Sequence, residues 1–160
     1  MENSCVVITH WVHPEVIEFL EQRGYKVIAN QTENTLSQAE VLSRAQQAQA
    51  LMAFMPDCID ESFLQACPQL KIVAGAFRGY DNCDVEACTQ RGIWVTVVPE
   101  LLAESTAELT VGLLIVLGRR LPEGDALVRN GQFQGWRPRF YSVGLQNKTL
   151  GIISMGELGQ

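Results

Sequence analysis

Five short apolar runs recur along the first hundred residues, and a capped, amphipathic segment follows each of the first four. This alternation restricts the fold more than any other feature of the chain. The runs at 5–9, 26–30, 50–54, 71–77 and 93–98 are short and rich in valine, isoleucine and alanine, as buried strands are. Between them, His13-Pro14 opens a helix whose face is Val16, Ile17 and Leu20 and which Gly24 closes. Ser37-Gln-Ala-Glu40 is a capping box, continued by Val41, Leu42 and Ala45. Asp60 and Asp84 each cap a short helix, ended before Pro68 and at Gly92. Strands alternating with helices predict a parallel sheet covered on both faces. Right-handed crossovers then give an α/β doubly wound fold of the flavodoxin type, with ligands at the carboxyl ends of the strands. Those ends are Thr9-His10, Phe54-Met55-Pro56, Phe77-Arg78-Gly79 and Val98-Pro99.

Pro99 marks a boundary, so residues 1–99 are read as one domain and 100–160 as the start of another. Ser105-Thr-Ala-Glu108 reads as a second capping box, and residues 109–117 are apolar on nearly every face. Such a helix is expected to be buried all round at a domain junction. Arg119 and Arg120 suit its carboxyl end, and residues 125–128 add a further helical turn. Residues 132–141 are aromatic and broken by glycine and proline, which predicts an extended arm. Residues 149–153 read as a strand that runs into Ser154-x-Gly156-x-x-Gly159, one glycine short of a dinucleotide-binding loop. In that reading Gly156 lets backbone approach a pyrophosphate and Gly159 allows close helix–strand packing. Ser154 stands where positive φ favours glycine, so strain is expected there.

The net charge of −6, without a basic stripe, argues against nucleic acid as a partner. The longest apolar stretch is too short to span a bilayer, and the first residues carry no signal-peptide pattern. Five cysteines with no C-x-x-C pair suit reduced thiols in a cytoplasmic protein, most of them small core residues, and no metal site is expected. Arg78, just past a strand end, could fork onto a carboxylate or phosphorus oxyanion beside Gly79; a solvated arginine, or one paired with Asp81, is the plainer reading from the residues alone. Asp81 and Asn82 read as turn and cap residues. Ser105 reads as a cap, whereas Thr106 has a hydroxyl to spare near a helix start that attracts anions. His10 and His13 titrate in the right range for a base, but no carboxylate lies near them in sequence, which favours cap and loop roles.

Three motifs carry a family resemblance. They are Gly79-Tyr80-Asp81-Asn82-Cys83-Asp84, then Arg91-Gly92-Ile93-Trp94-Val95 leading to Pro99, and Thr106-Ala107-Glu108. With them the chain resembles the D-isomer-specific 2-hydroxyacid dehydrogenases over essentially its whole length. The stretches 51–57, 63–68 and 131–136, with Phe140-Tyr141 and Gly144-Leu145, are most similar to the phosphonate (phosphite) dehydrogenases within that family. The resemblance implies an NAD-dependent oxidoreductase, with phosphite giving a hydride to NAD and becoming phosphate. A small D-2-hydroxy acid is the alternative substrate, and a non-catalytic oxyanion-binding or interaction module the alternative role. It further implies that Arg78, at a position where phosphonate dehydrogenases carry lysine, binds the anion with Gly79. Met55 and Leu102 would line the pocket and Thr106 would lie near the cofactor. Ser154, Gly156, Glu157, Leu158 and Gly159 would form the start of a Rossmann NAD-binding domain. The arm around Trp136 would serve a homodimer of the full-length family. The family's catalytic arginine, glutamate and histidine would fall beyond position 160. No catalytic residue is therefore assigned here, and the chain alone is expected not to turn over.

Overall fold

Local signals within three residues of each helix start fix most of the first unit. In a computed structural model, which describes residues 4–99 and 102–160, the chain divides into two compact units, 1–99 and 100–160. In the first, strands β1 (Cys5–Ile8), β2 (Lys26–Ala29), β3 (Ala50–Ala53), β4 (Ile72–Gly75) and β5 (Trp94–Thr96) alternate with helices α1 (Pro14–Glu21), α2 (Gln38–Ala45), α3 (Glu61–Ala66) and α4 (Val85–Gln90). The Ser37 capping box forms in full: Ser37 Oγ accepts from the Glu40 N–H, and Glu40 accepts from the Ser37 N–H at 2.9 Å. The Ser37 bonds hold the Glu40 carboxyl below the usual range. Asp60 accepts from the Phe63 N–H at 2.8 Å and Asp84 from the Ala87 N–H at 2.9 Å, so both short helices start where their caps stand. The Phe63 N–H likewise lowers the Asp60 pKa.

All four strand pairings are parallel and the order is β2-β1-β3-β4-β5. This is the doubly wound flavodoxin-like order, and its reversal falls at β1, between β2 and β3. Alternate side chains separate two apolar clusters. Val7, Leu51, Ala53 and Val73 point to one face, where Val41, Phe63, Leu64 and Ala87 of α2, α3 and α4 cover them. Val6, Ile8, Ala50 and Met52 point to the other face, where α1 is the one helix of this unit that packs among the described residues, through Val16, Ile17 and Leu20. Cover is therefore uneven, which differs from the expectation of two covered faces. Beside α1 an apolar groove stays open, bordered by Phe19, Leu20, Met52, Ala74 and Val98, and Trp94 on β5 is 75% exposed. The strands are shorter than the apolar runs because pairing stops where the chain turns into the loops at the carboxyl edge.

The second unit holds α5 (Ala103–Gly118) and α6 (Leu121–Arg129). Three expectations fail here. The box at Ser105 does not form: α5 begins two residues earlier, Leu102 is its N-cap residue without a side-chain bond, and Ser105 Oγ donates to Leu102 O. Helix α5 is not buried all round, for Leu109, Val111, Leu113, Ile115 and Leu117 are all exposed. An apolar helix is covered only if another element packs on each face, and one unit of this size supplies too few. Residues 149–153 do not form a strand. A lone strand leaves its N–H and C=O groups unpaired, and no strand pairs with it among the described residues. Arg120 adopts φ 53° and forms the hinge between α5 and α6, where its Nε donates to Glu123 at 2.9 Å. The arm at 132–141 is irregular as expected, with Trp136 and Tyr141 largely exposed.

Leu51, fully buried under α2 and α3, and Ser37, at the exposed start of α2, should separate core from cap energetics. Chemical denaturation should show Leu51→Ala losing about 3 kcal/mol and Ser37→Ala about 1 kcal/mol.

Candidate functional site

The parallel register carries β3 and β4 past their ends side by side. Ala53 pairs with Gly75, and the Ala76 N–H donates to Ala53 O at 2.8 Å. Met55 and Arg78, which follow these ends, therefore belong to neighbouring loops on the carboxyl edge. Met55 sits at the tip of a tight turn closed by the Asp57 N–H donating to Phe54 O at 3.0 Å, and its side chain is 56% exposed. On the β4 side, Gly75 makes room for Phe77: a Cβ at Gly75 would overlap the buried Phe77 ring. With that ring folded inward, Arg78 comes to the surface half-buried and Gly79 follows with open space on its Cβ side. The nearest atom to that open side is the exposed Asp81 carboxylate at 4.0 Å. A cation and a glycine with open space beside its backbone thus stand next to each other, residue types suited to a small oxyanion.

The sequence pattern misses the polar residues beneath this edge. Asp57, 4% exposed, accepts from Thr9 Oγ1 at 2.5 Å and from the Phe54 N–H at 2.7 Å, both on Oδ2. Its Oδ1 faces His10 Nε2 at 3.8 Å. His10 therefore has a carboxylate neighbour, contrary to the expectation from sequence, and its ring packs against Phe54 with centroids 5.1 Å apart. The two are 47 positions apart in the chain, and only the parallel pairing of β1 with β3 brings them together. Asn82 is more than a turn residue: its Nδ2 donates to Phe54 O at 3.2 Å and Asp57 O at 2.9 Å. Asn30, 2% exposed, donates to Thr9 O at 3.2 Å and closes the network on the β2 side. A short alternation of Thr, Asn and Asp just past strand ends is the only signal that could have found them.

In the second unit, Leu102 is exposed at the start of α5. The Thr106 hydroxyl is not spare, because it donates to Leu102 O at 2.6 Å within the same helix. In the terminal loop Ser154 does adopt positive φ, 78°. Gly156 has open space where a Cβ would stand, so a pyrophosphate could approach its backbone. Gly159 turns back on the loop, its N–H donating to Gly156 O at 3.0 Å, and a Cβ there would press on the Ser154 carbonyl. Glu157 is exposed and has a polar interaction of its own. No helix among the described residues is long and apolar enough to cross a membrane.

Residues 6–155 match the family model described as D-isomer specific 2-hydroxyacid dehydrogenase, catalytic domain. The chain belongs to that family. It is 36% identical over 160 residues to the glyoxylate reductase of Thermococcus litoralis, a match that covers 97% of this chain and 48% of that protein. Among solved structures it is similar to the TT0316 protein of Thermus thermophilus, at 35% identity and a TM-score of 0.90, covering 97% of this chain and 50% of that one. It is also similar, at 26% identity and a TM-score of 0.77, to the NADPH-dependent glyoxylate/hydroxypyruvate reductase of Sinorhizobium meliloti solved with NADP and malonate; that match covers 98% of this chain and 48% of the other. The chain thus spans about half the length of the curated relatives it matches. Relatives matched along nearly the whole chain are glyoxylate reductases, and this does not support the phosphite specificity expected from sequence.

The cysteines near the edge behave as core residues. Cys83 and Cys88 are buried with their sulfurs 4.0 Å apart. Burial pushes the Cys83 thiol up to about 12, with the Cys88 thiol adding to the rise. The folded form therefore keeps a proton that the unfolded chain releases from about pH 9 upward. Stability from Cys83 is complete below that point and is lost as pH rises toward about 12. Urea midpoints should fall over this window, and less steeply in Cys83→Ala. At neutral pH an alkylating reagent should label exposed Cys58 and spare Cys67, Cys83 and Cys88 until unfolding.

Proposed function

We propose that this chain is the substrate-binding portion, with the beginning of the nucleotide-binding portion, of a nicotinamide-dependent dehydrogenase of small 2-hydroxy acids. Glyoxylate and its reduced form, glycolate, represent the substrate class. The observation that carries the reading is Arg78 with Gly79 at the end of β4, on the carboxyl edge of a sheet whose family membership is shown. The Arg78 guanidinium is planar and always charged, and its fork matches the two oxygens of a carboxylate. The Gly79 N–H adds a second donor from the backbone, and Met55 closes the apolar side of the anion site. Leu102 as pocket lining and Thr106 near the cofactor remain part of the proposal on the family pattern alone.

The terminal loop fits the pyrophosphate of NAD through the open face of Gly156, with Glu157 and Leu158 following it in the turn. The cofactor, when bound, supplies or accepts the hydride at the substrate's α-carbon. What this chain's residues do is fix the carboxylate, so that the adjacent carbon is presented in one orientation. Orientation of that kind removes a large part of the entropic barrier to a two-reactant step. Catalytic acid–base groups are not assigned to any residue of the chain.

A second reading has its own support. Exposed Leu109, Leu113 and Leu117 on α5 form an apolar surface larger than single scattered residues. Pairing of two copies through α5 and the arm at 132–141, as a homodimer, accounts for that surface.

Calorimetric titration with glyoxylate, with phosphite alongside, tests the main reading. Glyoxylate should bind, Arg78→Ala should weaken it at least about tenfold, and Arg78→Lys should retain part of the affinity. Equal affinity in wild type and Arg78→Ala would remove the anion site from this loop.

A further inference from the structure

We propose that Asp57 is a positioning residue for the oxyanion site, acting with Asn82 as a clamp that sets the Met55 turn and the Arg78–Gly79 loop relative to each other. The inference rests on the reading of Arg78 and Gly79 given above, and it assigns a role to a buried polar cluster that this reading leaves unused.

Three loops meet at Asp57. Its carboxylate takes the Thr9 hydroxyl at the end of β1 and the Phe54 N–H at the end of β3. Its own backbone carbonyl takes Asn82 Nδ2 from the turn after Gly79. The same amide nitrogen reaches Phe54 O, so both ends of the 54–57 turn hang on one Asn82 side chain. Backbone then locks the two loops together. The Ile59 N–H donates to Asn82 O and the Asp84 N–H to Ile59 O, both at 2.9 Å, in an isolated parallel bridge between Ile59 and Cys83. Arg78 and Gly79 lie between β4 and this bridge, and Met55 lies between β3 and it. The loops that carry Met55 and Arg78 are thereby tied to each other through Asp57 and Asn82.

The chemistry of the cluster fits a device for holding geometry. An ionised carboxylate only accepts, so Thr9 must donate its single hydroxyl hydrogen to it rather than to Met52 O, the longer contact at 3.3 Å. Both donated bonds end on Oδ2, while Oδ1 faces His10. Asp57→Asn can keep the two bonds on its carbonyl oxygen, but it removes the charge and puts an NH2 donor where Oδ1 faces His10. Thr9→Val removes one bond at nearly constant shape, and Thr9→Ser restores the hydroxyl.

Amide hydrogen exchange on the full 160-residue chain decides the matter without any ligand. In Thr9→Val and in Asp57→Ala the amides of Phe54, Ile59 and Cys83 should exchange at least about tenfold faster, while core amides such as Val73 keep their wild-type rates. Thr9→Ser should restore the slow rates. Unchanged exchange at the loop amides would overturn the proposal, as would acceleration spread evenly over the core, which is the mark of a merely structural residue. If Asp57→Ala fails to fold, Thr9→Val against Thr9→Ser still carries the comparison. A parallel titration with glyoxylate follows the Gly79 amide resonance. No response in wild type would sink the anion-site reading while leaving the clamp as measured. A response that Asp57→Ala and Thr9→Val leave unaltered would overturn the clamp alone.

Discussion

Parallel pairing is the constraint on which the first unit depends. Strands that all run one way deliver every carboxyl end to the same edge, and each must then return by a crossover along a face. Here the edge gathers Thr9-His10, the Met55 turn and the Arg78–Gly79 loop although they are far apart in sequence. Reversing any one strand would send its loop to the opposite edge, and the site would lose a wall. The same constraint explains the apolar strands. A sheet wound on both faces must be dry on both, and Val6 to Ile8 of β1 show that directly by being buried without alternation. On the α1 face cover thins toward β5, and the open groove there is apolar because the strands beneath it are made to be buried.

Gathering loops at one edge creates a second requirement. Loop backbone near the core cannot pair in a ladder, so its polar groups need other partners. Asp57, Asn82, Thr9 and Asn30 supply them, and all but Asn82 are buried. A buried carboxylate is costly unless its oxygens are satisfied. Thr9 and Phe54 satisfy one oxygen of Asp57, and His10 stands opposite the other. The outcome is a buried polar floor beneath the loops that carry Met55 and Arg78.

What the sequence made legible follows from how far each signal reaches. Ser37, Asp60 and Asp84 act on amides three residues away, and all three helix starts were readable. Five short apolar runs in alternation with capped helices were enough for the doubly wound order. The contact of His10 with Asp57 depends on strand pairing across 47 positions and has no local trace. At α5 a local signal misled: Ser105 and Glu108 have the spacing of a capping box, yet the helix already continues through them from Ala103, so the serine turns back to Leu102 O. Residues 149–153 carry a strand's composition but pair with no strand among the described residues. The substrate was read least well. Stretches such as 51–57 suggested phosphite, whereas relatives matched over nearly the whole chain are glyoxylate reductases. Resemblance in a few segments weighs less than identity spread along the fold.

A crystal structure of the chain grown with glyoxylate tests the central claim most directly. The carboxylate should be forked on the Arg78 guanidinium, within hydrogen-bond distance of the Gly79 N–H and beside Met55, with the Asp57 and Asn82 bonds unchanged. Glyoxylate bound elsewhere, with Arg78 and Gly79 making no contact to it, would rule out an anion site at the end of β4.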